Sequence, residues 1–206
     1  MAGAEFLFAI AILIMSVVVH EFSHGYSAYL LGDPTAKYAG RLTLNPIKHL
    51  ELFGSFLVPL MTYFAGGFIL GWAKPVPYNP YNLKNQRWGS AIVGVAGPFA
   101  NLFVAVFFGL FLRFGIGAGF LPYSFFQILS SIVFINIILA VFNLVPIPPL
   151  DGSKLLFAVL PASLSNMQEF LEKFGFFLVL AFIIFFPGAI LPIIEFLFSS
   201  VVGTGF

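Results

Sequence analysis

The chain has 206 residues, of which 60% are hydrophobic and only 8% charged, with a formal net charge of +1 and no cysteine. A soluble domain carries roughly 25% charged residues, so this chain lacks the polar surface to face water and most of its exterior must face lipid. The small net charge offers no electrostatic footing for a nucleic acid, and the absence of thiols excludes disulfides and cysteine-ligated metals.

Five apolar stretches follow in chain order. The first begins at residue 4 and runs through the polar motif His20-Glu21-Phe22-Ser23-His24 to about Leu31. Residues 1–19 have no basic leading region and no small-x-small cleavage site, so they read as a retained membrane helix rather than a signal peptide. Residues 52–72 form the second stretch, 90–112 the third (ended by Arg113), 125–147 the fourth and 174–202 the last, which Pro187-Gly188 and Pro192 interrupt. A spanning helix needs about 20 apolar residues, so each is a candidate. Lys37, Arg41, Lys48, Lys74, Lys84 and Arg87 all lie between residues 32 and 89. The positive-inside rule puts that region in the cytoplasm, and the first helix then runs from outside to inside. Residues 73–89 hold three prolines and read as an ordered loop or short extended hairpin. With no repeat and no polar appendage, residues 1–206 read as a single membrane domain.

His20 and His24 carry the chemistry. Four residues apart on a helix, both imidazoles lie on one face one turn apart and can share one Zn2+. Glu21 follows the first histidine and can reach a metal-activated water as general base without itself ligating. Three ionisable residues in five positions of an apolar helix are costly in a bilayer, which marks them as functional.

A catalytic zinc takes a third protein ligand and keeps one position open. His49, in the basic loop Asn45-Pro46-Ile47-Lys48-His49, reads as solvated. Asp33 precedes Pro34 and reads as a turn residue. Glu169 and Glu172 flank Lys173 in a polar helix start, and Glu195 sits in an apolar stretch as a competitor for the metal. Asp151 follows a helix end broken by Pro146, Pro148 and Pro149 and precedes Gly152. Those prolines free backbone groups near a polar cavity; the plainer role for Asp151 is a helix N-cap. If Asp151 meets the histidines, the first and fourth stretches run in the same direction, which requires an odd number of crossings between them. The third stretch supplies one, so the second enters and leaves on one side as a re-entrant element.

Together, His20-Glu21-Phe22-Ser23-His24, Gly97-Pro98-Phe99-Ala100-Asn101, and Asn143 through Pro146 running on to Leu150-Asp151-Gly152 resemble the site-2 protease family of intramembrane metalloproteases over residues 5 to about 160. The resemblance implies an all-α polytopic membrane protein. Its three-helix catalytic core spans 4–31, 90–113 and 125–147, with a re-entrant loop or β-hairpin over 52–80 and further C-terminal membrane helices over 153–206. It implies one zinc per chain held by His20, His24 and Asp151 inside the bilayer of the cell membrane, near its cytoplasmic face. It puts Asn143 and Asn101 near the active site, where an amide can donate to an oxyanion. It also implies cleavage of transmembrane-protein substrates, as the second cut after an upstream site-1-type protease. Family members often carry PDZ or CBS domains, and no stretch here reads as either. A metal permease would not need Glu21, and a membrane di-iron oxidase needs more histidines than the three present.

Overall fold

The computed structural model describes residues 2–51, 53–58, 61, 64, 74–117, 123–186 and 188–203. Seven α-helices occur among them: α1 (Ala2–Leu30), α2 (Thr35–Tyr38), α3 (Gln86–Gly117), α4 (Tyr123–Asn143), α5 (Gly152–Val159), α6 (Ser165–Phe185) and α7 (Leu191–Val202). No strand is present among the described residues.

Among the described residues, three helical segments are long and apolar enough to cross a membrane: Leu7–Leu30, Gln86–Gly115 and Phe125–Asn143. These are the three core helices expected from the sequence. α3 packs against both α1 and α4, and α7 lies on α3 and α4. The contact of α3, α4 and α7 is a continuous apolar core of Ala105, Leu112, Leu129, Val133, Ile137, Val141, Ile194 and Val202. At its far end Arg113 donates to the carbonyl of Ser200 near the C-terminus of α7, at 3.3 Å. Phe99, Phe103, Phe107 and Phe111 are all exposed along α3. Their four-residue spacing puts them on one helix face, an arrangement suited to lipid and not to water.

Two helix boundaries depart from the hydropathy pattern, each for a local reason. α3 starts at Gln86 rather than near residue 90, because the Asn85 side chain accepts from the amide of Trp88 at 3.0 Å and satisfies an otherwise orphaned donor. α4 stops at Asn143 rather than 147, since Pro146 lacks an amide and disfavours helical geometry at Val145. Just past the end of α1 the chain turns at Gly32, whose φ of +109° is open to glycine and closed to most other residues.

About half of the 52–80 element lies outside the described residues. Its described parts include a π-helical turn at Phe53–Leu57 and a run outside helix and strand at 74–79. The expectation that His49 is solvated is overturned: it is 1% exposed, its Nε2 donates to Thr43 O at 2.8 Å, and its carbonyl accepts from Lys74 N at 2.9 Å. The loop folds back on itself and takes the ring into its own packing. Asp33 does hold a turn, and more. Its carboxylate accepts from Thr35 N, Thr35 Oγ1, Asn79 N and Asn82 Nδ2, so it ties the end of α1 to the segment that leads into α3.

Candidate metal centre

His20 and His24 lie in the second half of α1, both buried. Asp151 lies just beyond α4, also buried. The two Nε2 atoms are 3.0 Å apart, and Asp151 Oδ2 is 3.1 Å from each. Glu21 stands beside the two histidines: one ligand-capable atom from each of His20, Glu21 and His24 lies within 4.8 Å of the others.

The hydrogen bonds on the far side of each ring define its tautomer. His20 Nδ1 lies 2.6 Å from Asn101 Oδ1, and His24 Nδ1 lies 2.6 Å from the carbonyl of Val93. The Asn101 orientation follows from its own network. Its Nδ2 donates to Asn136 Oδ1 at 2.8 Å and to Ser16 O at 3.1 Å, and Asn136 Nδ2 donates to Ser16 Oγ at 2.9 Å. Both Nδ1 atoms therefore face acceptors and carry the ring protons, and both Nε2 atoms are bare lone pairs.

With both rings neutral, two lone pairs and a carboxylate oxygen thus converge in a buried space. Such an arrangement is repulsive unless a cation sits between them. Zinc bonds of about 2.0–2.1 Å put tetrahedral ligand atoms about 3.3 Å apart, close to the separations found. Gly97 supplies the room: a Cβ there would fall 2.5 Å from His24 Nε2 and 2.7 Å from His20 Nε2. The donor set and the cradle both fit a zinc ion.

The remaining residues shape this group. Asp151 occupies the N-cap position of α5 without a side-chain capping bond, so its carboxylate is committed to the histidines and to Lys154, whose Nζ lies 2.9 Å from Oδ1. The Lys154 ammonium also stands over the Tyr78 ring, 5.5 Å from its centroid. Beyond it opens a cleft of about 600 Å³ whose lining includes Tyr78, Arg87, Ser90, Phe157 and Glu172. Glu21 Oε2 accepts from the amide of Val76 at 2.8 Å. Asn143 ends α4 and donates to Leu139 O of its own helix at 2.8 Å. Glu195 is exposed on α7 and His49 is committed to its loop.

The meeting of α1 and α4 at their C-terminal ends fixes their sense. α3 sets Val93 beside His24 and Asn101 beside His20, the reverse of their order in α1, so it runs the other way. Ser16, Asn136, Lys154 and the Val76 amide were not singled out from sequence. Asn136 alone had a readable signal, an amide side chain in the middle of an apolar span.

Residues 8–127 and 118–186 match the model of Peptidase family M50. The chain is 41% identical over 175 residues to "Putative zinc metalloprotease YwhC" of Bacillus subtilis, covering 82% of this chain and 77% of that protein. Two mycobacterial proteins of the same designation, both named Rip2, are also similar. The Mycolicibacterium smegmatis protein is 32% identical over 182 residues (87% of this chain, 67% of the relative). The Mycobacterium tuberculosis protein is 28% identical over 154 residues (71% of this chain, 55% of the relative). No solved structure matches the chain. The motif at His20–His24, the helices that carry it and the family match over most of the sequence lead to one assignment: the chain belongs to peptidase family M50, the site-2 protease family that its motifs resemble.

Proposed function

We propose that this chain is a zinc-dependent intramembrane endopeptidase that hydrolyses peptide bonds within or near the transmembrane segments of membrane-protein substrates. The observation that carries the reading is the convergence of His20 Nε2, His24 Nε2 and Asp151 Oδ2 at 3.0–3.1 Å, with both Nδ1 protons turned away. In this reading the three atoms are the metal ligands, residues 1–206 act as one catalytic domain, and the domain works in the cell membrane with its site near the cytoplasmic face.

When bound, zinc supplies Lewis-acid activation of a water molecule and of the scissile carbonyl. Glu21 takes the proton from the attacking water and returns it to the leaving nitrogen. Asp151 balances part of the metal charge and is held in place by Lys154. Asn143, at the end of α4, donates to the developing oxyanion once its amide turns from Leu139 toward the substrate. A substrate helix hides its carbonyls in its own hydrogen bonds, so it must unwind before it is cut. Segments with Gly, Pro or Asn are therefore the preferred substrates, and an upstream protease that first trims the substrate fits the role in regulated proteolysis.

The test is metal content and cleavage in detergent-purified protein. Wild type should hold about one zinc per chain, and His24→Ala and Asp151→Ala should lose it. Glu21→Gln should keep the zinc and lose cleavage of a reporter transmembrane peptide. Zinc retained by Asp151→Ala, or cleavage by Glu21→Gln, would overturn the reading.

A further inference from the structure

The residue that follows the first histidine is not free in its cavity. Glu21 Oε2 accepts a hydrogen bond of 2.8 Å from the backbone amide of Val76, 55 residues away in sequence. A general base needs one carboxylate oxygen aimed at the water and a fixed plane for the carboxylate, because misalignment by about 1 Å costs on the order of 100-fold in rate. A hydrogen bond to one oxygen fixes that plane and leaves the other oxygen for the proton.

Val76 sits in the run 74–79, Lys74-Pro75-Val76-Pro77-Tyr78-Asn79, which lies outside helix and strand. Its two proline neighbours narrow the backbone to extended geometry. They also remove the adjacent amides, so Val76 presents an isolated donor. The run is pinned at both ends. At the start, Lys74 N donates to His49 O at 2.9 Å and Lys74 O accepts from Arg41 at 2.6 Å. At the end, Asn79 N donates to Asp33 Oδ2 at 2.6 Å, and shortly after it Lys84 N donates to Leu31 O at 3.1 Å. In the middle, the Val76 side chain is buried on α1 at Gly25, where a Cβ would lie 2.7 Å from Val76 Cγ1. Gly25 thus lets the segment press against the helix one turn beyond Glu21.

From this we infer that the 74–79 segment is a strap whose single purpose-set donor, the Val76 amide, positions the Glu21 carboxylate for catalysis. Val76 is a positioning residue acting through Glu21, and the inference rests on Glu21 being the general base. It explains why a buried histidine and a buried arginine are spent on a loop: they fix the height of one amide relative to α1.

The test uses the full-length chain in detergent. Val76→Pro deletes the donor in a context already restricted to extended geometry. It should lower kcat by about 10- to 100-fold with KM little changed, a loss within the range general-base catalysis contributes, while zinc content stays at the wild-type level. Val76→Thr, which keeps the amide and the β-branched shape, should rescue the rate. The second measurement does not depend on turnover. Only residues 74, 76, 78 and 79 of the segment carry amides, so hydrogen exchange resolved to single residues by fragmentation separates Val76 from the other three, and Glu21→Ala should speed exchange at Val76 at least 10-fold without exposing Lys74 or Asn79. Wild-type kcat in Val76→Pro, an equal loss in Val76→Thr, loss of zinc in Val76→Pro, or unchanged exchange in Glu21→Ala would each overturn the inference. Inactive Glu21→Gln beside a fully active Val76→Pro would refute the strap alone; an active Glu21→Gln would remove the general-base reading and the strap with it.

Discussion

His20 Nδ1 meets Asn101 Oδ1 at 2.6 Å across the α1–α3 contact. The bond makes an amide, not a carboxylate, the partner of a ring whose other nitrogen faces the metal site. A neutral partner fixes the tautomer without adding a second negative charge beside Asp151 and Glu21. It is held in turn by Asn136 and Ser16, so residues of three helices fix one imidazole. Side-chain partners of this kind typically change metal affinity 10- to 100-fold when removed. Asn101→Leu should therefore weaken zinc binding by about that factor, measured by competition with a chromophoric chelator. It also leaves Asn136 short of a partner, which should lower the unfolding midpoint, since each buried polar group left unpaired costs about 1–3 kcal/mol. Unchanged affinity would mean that packing alone orients His20.

Gly97→Ala isolates the cradle. Alanine is a better helix former than glycine by roughly 0.5–1 kcal/mol, so the backbone of α3 gains. The added methyl, however, would occupy the space against both Nε2 atoms. Zinc content should fall below about a tenth of wild type while circular dichroism keeps the full helical signal. Retained zinc would show that α1 and α3 can separate enough to accept the methyl.

Asp33 gives a pH dependence with a definite sign. Burial pushes its carboxyl upward, but the hydrogen bonds from Thr35, Asn82 and Asn79 outweigh burial and hold it below its ordinary value. A carboxylate depressed on folding contributes stability above its unfolded pKa, and that contribution is lost as pH falls through the folded value. Asp33→Asn should thus lower the unfolding midpoint at pH 7, by about 1.5–3 kcal/mol for hydrogen bonds to a charged group. The gap to wild type should close as pH is taken below about 4. A gap that is constant with pH would show that shape, not charge, holds the turn.

How much of this was legible in the sequence follows the range of the interactions. His20, Glu21 and His24 were readable because a helix turns four-residue spacing into proximity, which is local physics. The three spans were readable because hydropathy needs no partner. The nearness of Asp151 to the histidines came through a motif, since nothing in its own stretch of sequence separates a plain helix N-cap from a residue that meets them. His49 was misjudged because its neighbours in sequence are polar, whereas its surroundings in space are the folded loop itself. The Val76 amide had no signal at all: a backbone donor carries no residue identity, and only the fold brings it to Glu21. The Asn101–Asn136–Ser16 network joins three helices, so it becomes visible only once their faces are matched.

Lys154 bears on how Asp151 faces the metal site. Its Nζ lies 2.9 Å from Oδ1, while Oδ2 faces the histidines. An ammonium on one carboxylate oxygen leaves the other to face the histidines and fixes the rotation of the group. The alkyl stem is seated against α3 at Gly94, where a Cβ would lie 2.8 Å from Lys154 Cδ. Lys154→Met keeps that stem and removes the charge. It should weaken zinc binding by about 10-fold, at the low end for an outer partner of a ligand, because the carboxylate regains its freedom to rotate. Lys154→Arg should not restore the affinity: a planar, longer guanidinium cannot replace a point charge seated at that depth. The check is zinc affinity at fixed pH and salt, together with the visible spectrum of the cobalt-substituted protein, which responds to a change in carboxylate coordination. Wild-type affinity and an unchanged cobalt spectrum in Lys154→Met would mean that the backbone at Asp151, held by the turn that Pro146, Pro148 and Pro149 impose, orients the carboxylate alone.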